Sequence, residues 1–457
     1  MPKQPLYLNL YETLKQQIIE GQYHADDKFP SKRALGAHLS VSNTTIEHAY
    51  QILLDEGFIY AKPRSGYYVS DIESLPVIYK NDTPQPPHVD NQEKNEETIH
   101  HKYAFNMAEI DAEYFPMQQF RRHARDIFED DQRALLQHRD SQGLKELRQE
   151  IAHYLFNSRG VTSHPNQIII GSSTEQLINL LTDILDDQSF IIEQPSYPPI
   201  KQVLDKKQIP YLQVPVTPTG IDIDAFKQSK HHVAYVTPSH QFPTGYVMNL
   251  KKRTQLIHWA QKDDNRYIIE DDYDSEFRFS GKPIPALQSL DTKDKVIYIS
   301  TFSKSLYPSC RIAYVVLPNP LLTRYQQFPY KEGNTVPMHL QQLVANFMHS
   351  GSFERHLNKM RTVYSDKLKF ILERLKPYAN QLQIEGALTG MHFTLTITNG
   401  STLEECLKQA SDHQVKVVPM NQYNPKETQP KFIIGFGGIP KAALQSHTDA
   451  LINAFVK

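Results

Sequence analysis

KVIYISTFSKSLYPSCR, residues 295–311, decides the fold when set beside RYIIEDDYDSEF, residues 266–277. Each opens on a short β-branched and aromatic run of the kind that forms strands. Each then passes straight to side chains that carry chemistry: Lys304 in the first, Asp271, Asp272 and Tyr273 in the second. A residue just past the carboxyl end of a strand in an open α/β sheet faces the crevice where ligands bind. Similar apolar runs occur in QIIIGS (167–172), SFIIEQP (189–195) and HVAYVTPS (232–239). Between them, LKELRQEIAHYLF (144–156), STEQLINLLTDIL (173–185) and KKRTQLIHWAQK (251–262) have helical spacing. Strands alternating with helices predict an α/β domain with a mostly parallel sheet. Further on, LQQLVANFM (340–348) and FERHLNKMRTVYSDKLKFILERL (353–375) predict long helices, and MHFTLTIT and PKFIIGF a smaller C-terminal α+β lobe.

The first 70 residues have another character. Leu10, Leu14 and Ile18 recur every four residues and predict a helix over 8–20, stopped by Gly21. Ser31 is placed to cap a second helix, KRALGAHL, and Ser42 a third, NTTIEHAYQILLDE. FIYAKP and GYYVS then predict two strands around Arg64, Ser65 and Gly66. That outline is a winged helix-turn-helix, with the third helix as the recognition helix. Ser42, Asn43, Thr44 and Thr45 give it a short, polar N-terminal edge, Lys32 and Arg33 open the second helix, and Arg64 marks the wing. On pattern alone, a three-helix protein-interaction module is equally admissible. Residues 71–102, rich in Pro, Asn, Asp and Glu, read as a linker, which leaves domains at 1–70 and 103–457.

Bulk properties exclude several classes. A chain of 457 residues needs more than one core. Net charge is −2, and the seven basic residues of the first 70 (Lys3, Lys15, Lys28, Lys32, Arg33, Lys62, Arg64) meet seven acidic ones (Glu12, Glu20, Asp26, Asp27, Glu47, Asp55, Glu56). Contact with DNA therefore rests on where charges sit, not on their sum. Two distant cysteines, Cys310 and Cys406, imply neither a disulfide framework nor a zinc site, so no metal is expected. No run is long enough to span a bilayer and no signal peptide opens the chain, so a cytoplasmic protein without a membrane partner is expected.

Pyridoxal 5'-phosphate (PLP) chemistry needs a lysine, an acid for the pyridine nitrogen, a donor to the ring hydroxyl, a phosphate clamp and a flat side chain against the ring. Lys304 meets the first need, Asp271 or Asp272 the second, and Tyr273 the third. Arg311 lies seven residues beyond Lys304, and GSSTEQL (171–177) brings Ser173 and Thr174 to a helix start suited to phosphate. Tyr197 sits in EQPSYPP (193–199). Singly these are weak signals; their order and spacing give them force.

FPSKRALGAHLSVSNTTIEHAYQILLDEGFIYAKPRSGYYV (29–69) resembles the GntR-type winged helix nearly throughout, and GSST, EQPSY, PTG, EDDY, SFSK-like TFSK and the trailing Arg resemble the fold-type I aminotransferases. The combination is similar to the MocR/GabR regulators, as are TPSHQFPTG (237–245) and FERHLNKMR (353–361). The resemblance implies a DNA-binding transcription regulator with an aminotransferase-like PLP domain. It implies that Lys304 is the Schiff-base lysine, Asp271 pairs with the pyridine nitrogen, Tyr273 donates to the ring hydroxyl and Tyr197 stacks. Ser173, Thr174, Thr301 and Arg311 would hold phosphate. Lys32, Arg33, Ser42, Asn43, Thr44, Thr45, Arg64 and Gly66 would meet double-stranded DNA, and two chains would form a domain-swapped homodimer.

Three departures matter. Asn43 stands where a basic residue is usual, Phe242 where aminotransferases have Asn, and Ile433 and Pro199 where carboxylate-binding arginines are found. Losing such clamps removes charge-assisted bonds. A sensor of PLP or of a PLP-reactive amine is therefore expected rather than an enzyme, and one branch of the family senses PLP to control its synthesis genes. The alternative is a working aminotransferase with an accessory DNA-binding module.

Overall fold

The computed structural model of the chain describes residues 5–71, 101–129, 140–186, 188–279, 284–329, 331 and 333–457. They belong to two compact units, Met1–Thr98 and Ile99–Lys457. Residues 72–100 of the expected linker lie outside the described residues.

In the first unit, helices α1 (Leu6–Ile19), α2 (Lys32–Leu39) and α3 (Asn43–Asp55) precede strands β1 (Ile59–Lys62) and β2 (Gly66–Val69). Leu10, Leu14 and Ile18 of α1 are buried with Ile46, Tyr50 and Leu53 of α3, and Ile59 and Val69 of the hairpin close the core. The serine hydroxyls cap as expected: Ala34 N donates to Ser31 and Thr45 N to Ser42, both at 3.2 Å. Such caps each stabilise by about 1 kcal/mol. Helices α2 and α3 meet closely at Gly36, where a Cβ would lie 3.1 Å from Ile46 Cδ1. Lys62 pairs with Gly66, so Pro63, Arg64 and Ser65 form the wing tip, with Arg64 left-handed at φ 61°.

The second unit is built on an eight-stranded sheet. Its order is β4 (Ile168–Gly171), β11 (Ala313–Val316), β10 (Val296–Thr301), β9 (Tyr267–Asp271), β8 (Val233–Val236), β5 (Phe190–Gln194), β6 (Tyr211–Thr217) and β7 (Gly220–Ile221). From β10 to β6 neighbouring strands run parallel, whereas β11 is antiparallel to both β10 and β4. Strands covered on both faces are apolar throughout rather than alternating. Helices α6 (Thr174–Ile184), α7 (Pro198–Lys206) and α10 (Asn319–Gln326) cover one face, and α8 (Leu250–Ala260) packs on the other. Helices α4 (Met117–Glu129), α5 (Lys145–Arg159), α11 (Met338–His349) and the 24-residue α12 (Ser352–Leu375) complete this lobe.

The smaller lobe has a four-stranded sheet ordered β12 (Leu382–Glu385), β13 (His392–Ile397), β16 (Lys431–Gly435) and β15 (Val418–Pro419). Helices α13 (Leu403–Asp412) and α14 (Leu444–Phe455) pack beside it, and β14 (Val415–Lys416) pairs with β3 (Tyr103–Ala104). Every strand and helix anticipated within 144–436 is present. Strands β6 and β11 carried no expectation.

Candidate functional site

The carboxyl ends of β4, β5, β8, β9 and β10 converge on a cavity of about 310 Å³. All eight residues singled out for the cofactor line it: Ser173, Thr174, Tyr197, Asp271, Tyr273, Thr301, Lys304 and Arg311. Each arrives by a local rule. Ser173 caps α6 by accepting from Gln176 N at 3.1 Å, which sets Thr174 in the first turn of an eleven-residue helix. Thr301 caps the one-turn helix α9 (Phe302–Ser305), accepting from Ser303 N at 3.2 Å, and so turns Lys304 inward.

The lysine ammonium is half-buried, and its Nζ donates to the Met107 carbonyl. Burial lowers its pKa to about 8, although the Asp274 charge pulls the other way. About half of the amine is therefore neutral near pH 8, the state that attacks a carbonyl.

Asp271 and Asp272 separate because neighbouring strand residues point to opposite faces. Asp271 lines the cavity. Its Oδ2 accepts from the Tyr235 hydroxyl at 2.5 Å, while its Oδ1 is buried without a partner. Burial, only partly offset by that hydrogen bond, pushes its carboxyl up to about 7. Asp272 turns away: its Oδ2 accepts from Arg159 Nε at 2.8 Å and from the Tyr298 hydroxyl at 2.6 Å. Burial would raise this carboxyl too, but the Arg159 charge and these bonds hold it below the ordinary aspartate value.

Other lining residues lay beyond sequence reasoning. Met107 and Ala108 come from the segment after β3, Thr237 from the end of β8, and His392 from β13 of the smaller lobe. Met107 and His392 are held there by contacts across more than a hundred residues, to Lys304 and to the Pro243 carbonyl. Phe242 lines the cavity with its ring edge-on to Tyr197, 5.6 Å between centroids. The neighbouring Gln241 is held away from the cavity: its Nε2 donates to the Pro195 carbonyl at 2.8 Å. Ile433 is buried in β16 and Lys431 pairs with Glu385 at 2.5 Å. Arg278 lines a separate cavity of about 470 Å³ with Arg159, Glu276 and Arg361. Arg311 is the only arginine on the cofactor-sized cavity among the described residues.

Among the described residues, His240, Asp274 and His392 form one cluster whose potential ligand atoms lie within 4.8 Å of one another. His240 Nδ1 lies 3.0 and 2.8 Å from the two Asp274 oxygens, so the pair is a direct hydrogen bond.

The head presents a second surface. Arg33, Ser42, Asn43, Thr44, Arg64 and Gly66 are exposed. Lys32 is tied to Glu47 by a 2.6 Å ion pair. Thr45 is half-buried, and its hydroxyl lies 2.8 Å from that of Ser42, so these two serve the cap first.

A lysine just past a parallel strand, facing an aspartate at the next strand end and a phosphate-sized helix start, defines the fold class of the PLP-dependent aminotransferases. Residues 104–430 match the family "Aminotransferase class I and II", and residues 6–69 match "Bacterial regulatory proteins, gntR family". An archaeal alanine:glyoxylate aminotransferase superposes with a TM-score of 0.69 at 22% identity, over 77% of this chain and 90% of that one. The HTH-type transcriptional regulator YdeL of Bacillus subtilis is 34% identical over 96% of this chain and 95% of its own. The HTH-type pyridoxine biosynthesis transcriptional regulator PdxR of Corynebacterium glutamicum is 27% identical over 84% and 82%. The chain belongs to the MocR-type family of transcription regulators, in which a GntR helix-turn-helix head is joined to an aminotransferase class I and II body. No helix among the described residues is long and apolar enough to cross a membrane.

Proposed function

We propose that the body binds PLP through Lys304 and that the head reports its occupancy on DNA. The observation that carries this is the convergence of all eight expected residues on one cavity, with a buried, partnerless Asp271 oxygen in its wall. The donor set suits the molecule. Asp271 Oδ1 would accept from a protonated ring nitrogen, which would keep that carboxyl ionised. Tyr273 would donate to the ring hydroxyl and Tyr197 would lie against the ring. Ser173, Thr174, Thr301 and Arg311 would hold the phosphate. When bound, PLP supplies an aldehyde that reacts with amines and a ring that withdraws electrons.

With Arg311 on the phosphate, no arginine among the described residues is left on the cavity for a substrate carboxylate. The arrangement therefore favours sensing PLP, or an amine that reacts with it, over turnover. The likeness to PdxR supports control of PLP-synthesis genes as the output. Arg33, Asn43, Thr44 and Arg64 are assigned to DNA, with Lys32, Ser42, Thr45 and Gly66 shaping that surface. The active form is a homodimer. A ligand shifts such a regulator only by binding one arrangement of it better than another.

Lys304→Ala tests the reading. The variant should lose the visible absorbance that PLP confers and lose PLP-dependent change in promoter binding, measured by gel shift and by genome-wide mapping of bound DNA. Unaltered regulation in that variant rejects the sensor.

A further inference from the structure

Behind the cavity wall, Asp274 and His240 form a pair that the proposed binding of PLP does not use. Both are buried, at 1% exposure each. The two Asp274 oxygens face His240 Nδ1 at 3.0 and 2.8 Å. The Tyr273 hydroxyl lies 3.1 Å from the same nitrogen, and its ring stacks on the imidazole at 29°. Gly390 closes the pocket from the smaller lobe. It sits at φ 76°, its N–H donates to the Phe277 carbonyl at 2.7 Å, and a Cβ there would overlap the His240 ring. Only a glycine fits against the imidazole there. On its other side His392 lies 4.5 Å away, ring to ring, with Nε2 3.2 Å from the Pro243 carbonyl.

These contacts fix where hydrogens go. A nitrogen facing two carboxylate oxygens must carry a hydrogen, in either charge state of the ring. His240 Nδ1–H therefore donates to Asp274 and, at the longer distance, to the Tyr273 oxygen. Nδ1 cannot accept the tyrosine's own hydrogen. Tyr273 lines the cavity, so its O–H is left to donate there.

We infer that Asp274 and His240 are positioning residues that lock the Tyr273 hydroxyl as a donor aimed into the cavity. Asp274 sets the hydrogen on Nδ1, and Nδ1–H orients the phenol. The ligand recognised is one bringing an acceptor oxygen to Tyr273. This deepens the PLP reading, since the ring hydroxyl of PLP, ionised, is such an oxygen. Asp274→Asn undoes the arrangement: with its NH2 turned to the ring the amide donates to Nδ1, the histidine hydrogen moves to Nε2, and no Nδ1–H is left to hold the Tyr273 oxygen.

Two measurements on the full chain test this. The first titrates the visible absorbance of the PLP-loaded protein against pH. Asp274→Asn and His240→Asn should each move the midpoint in the direction that Tyr273→Phe moves it, by about one pH unit. The double variant Asp274→Asn/Tyr273→Phe should move it no further than Tyr273→Phe alone. Additive shifts, or an unmoved midpoint in a folded Asp274→Asn protein, overturn the inference. The second uses ¹⁵N-histidine-labelled protein without PLP. His240 should carry hydrogen on Nδ1 in the native chain and lose it in Asp274→Asn. A bare Nδ1 in the native chain overturns the inference whatever PLP does. Native protein that never acquires visible absorbance rejects the PLP reading alone, because the histidine spectrum still decides the positioning claim.

Discussion

Asp271 and Asp272 are adjacent, chemically identical and both buried, at 4% and 1% exposure, yet the two faces of that strand end treat them oppositely. Asp272 meets a guanidinium and a phenol, and its charge is held. Asp271 meets a single phenol and an open cavity, and its charge is resisted. Each carboxylate has one buried oxygen without a partner, Oδ1 in both, so what separates them is the Arg159 guanidinium on Asp272 and the cavity beside Asp271. The missing counter-charge, not the residue type, marks the binding face.

The contrast is broken most forcefully on the Asp272 side. Arg159 also donates to the Ile284 carbonyl at 2.5 Å and to Ser239 Oγ at 2.8 Å, so Arg159→Ala strands a buried carboxylate and two acceptors. The expected loss is about 3–5 kcal/mol in urea unfolding.

A smaller effect comes from Asp271→Asn, and its sign depends on pH. Asp271 has its folded pKa raised from 3.8 to about 7, so between those values the native state holds a proton that the unfolded chain has released. That contribution to stability is complete below about pH 4 and is lost as pH rises through 7. In protein without PLP, Asp271→Asn should therefore gain on the native chain across that window, read as diverging melting temperatures. Parallel curves would place the carboxylate in a more polar setting than its burial indicates.

The smallest effect tests whether the head follows the same logic. Arg64 lies exposed at the wing tip, away from any core. Arg64→Ala should leave melting unchanged and lower the salt-dependence slope of DNA binding by about one. An unchanged slope removes Arg64 from the interface.

How much of this was legible in the sequence depended on the range of the contacts. Period-four leucines, serine caps and β-branched runs act over a few residues, and the helices of the head and the central parallel strands followed from them. Ser173, Tyr197, Asp271 and Lys304 sit next to strand ends and were equally readable. Strand β11 was missed because AYVV, four buried residues, carries no direction; only its antiparallel pairing with β10 and β4 gives one. The roles of His392 and of the Asp274–His240 pair depend on Gly390 and β13, far along the chain. A serine or lysine expected to touch DNA can also be held by a cap or an ion pair, as Ser42 and Lys32 are.

The cavity wall runs from Met107 to His392, whereas among the described residues the core of the head draws on residues 10–69. During synthesis from the N-terminus, the core of the head is complete while the cavity of the body does not yet exist. A truncated product ending before the smaller lobe would keep every residue of the head's core and lack the His392 side of the cavity wall.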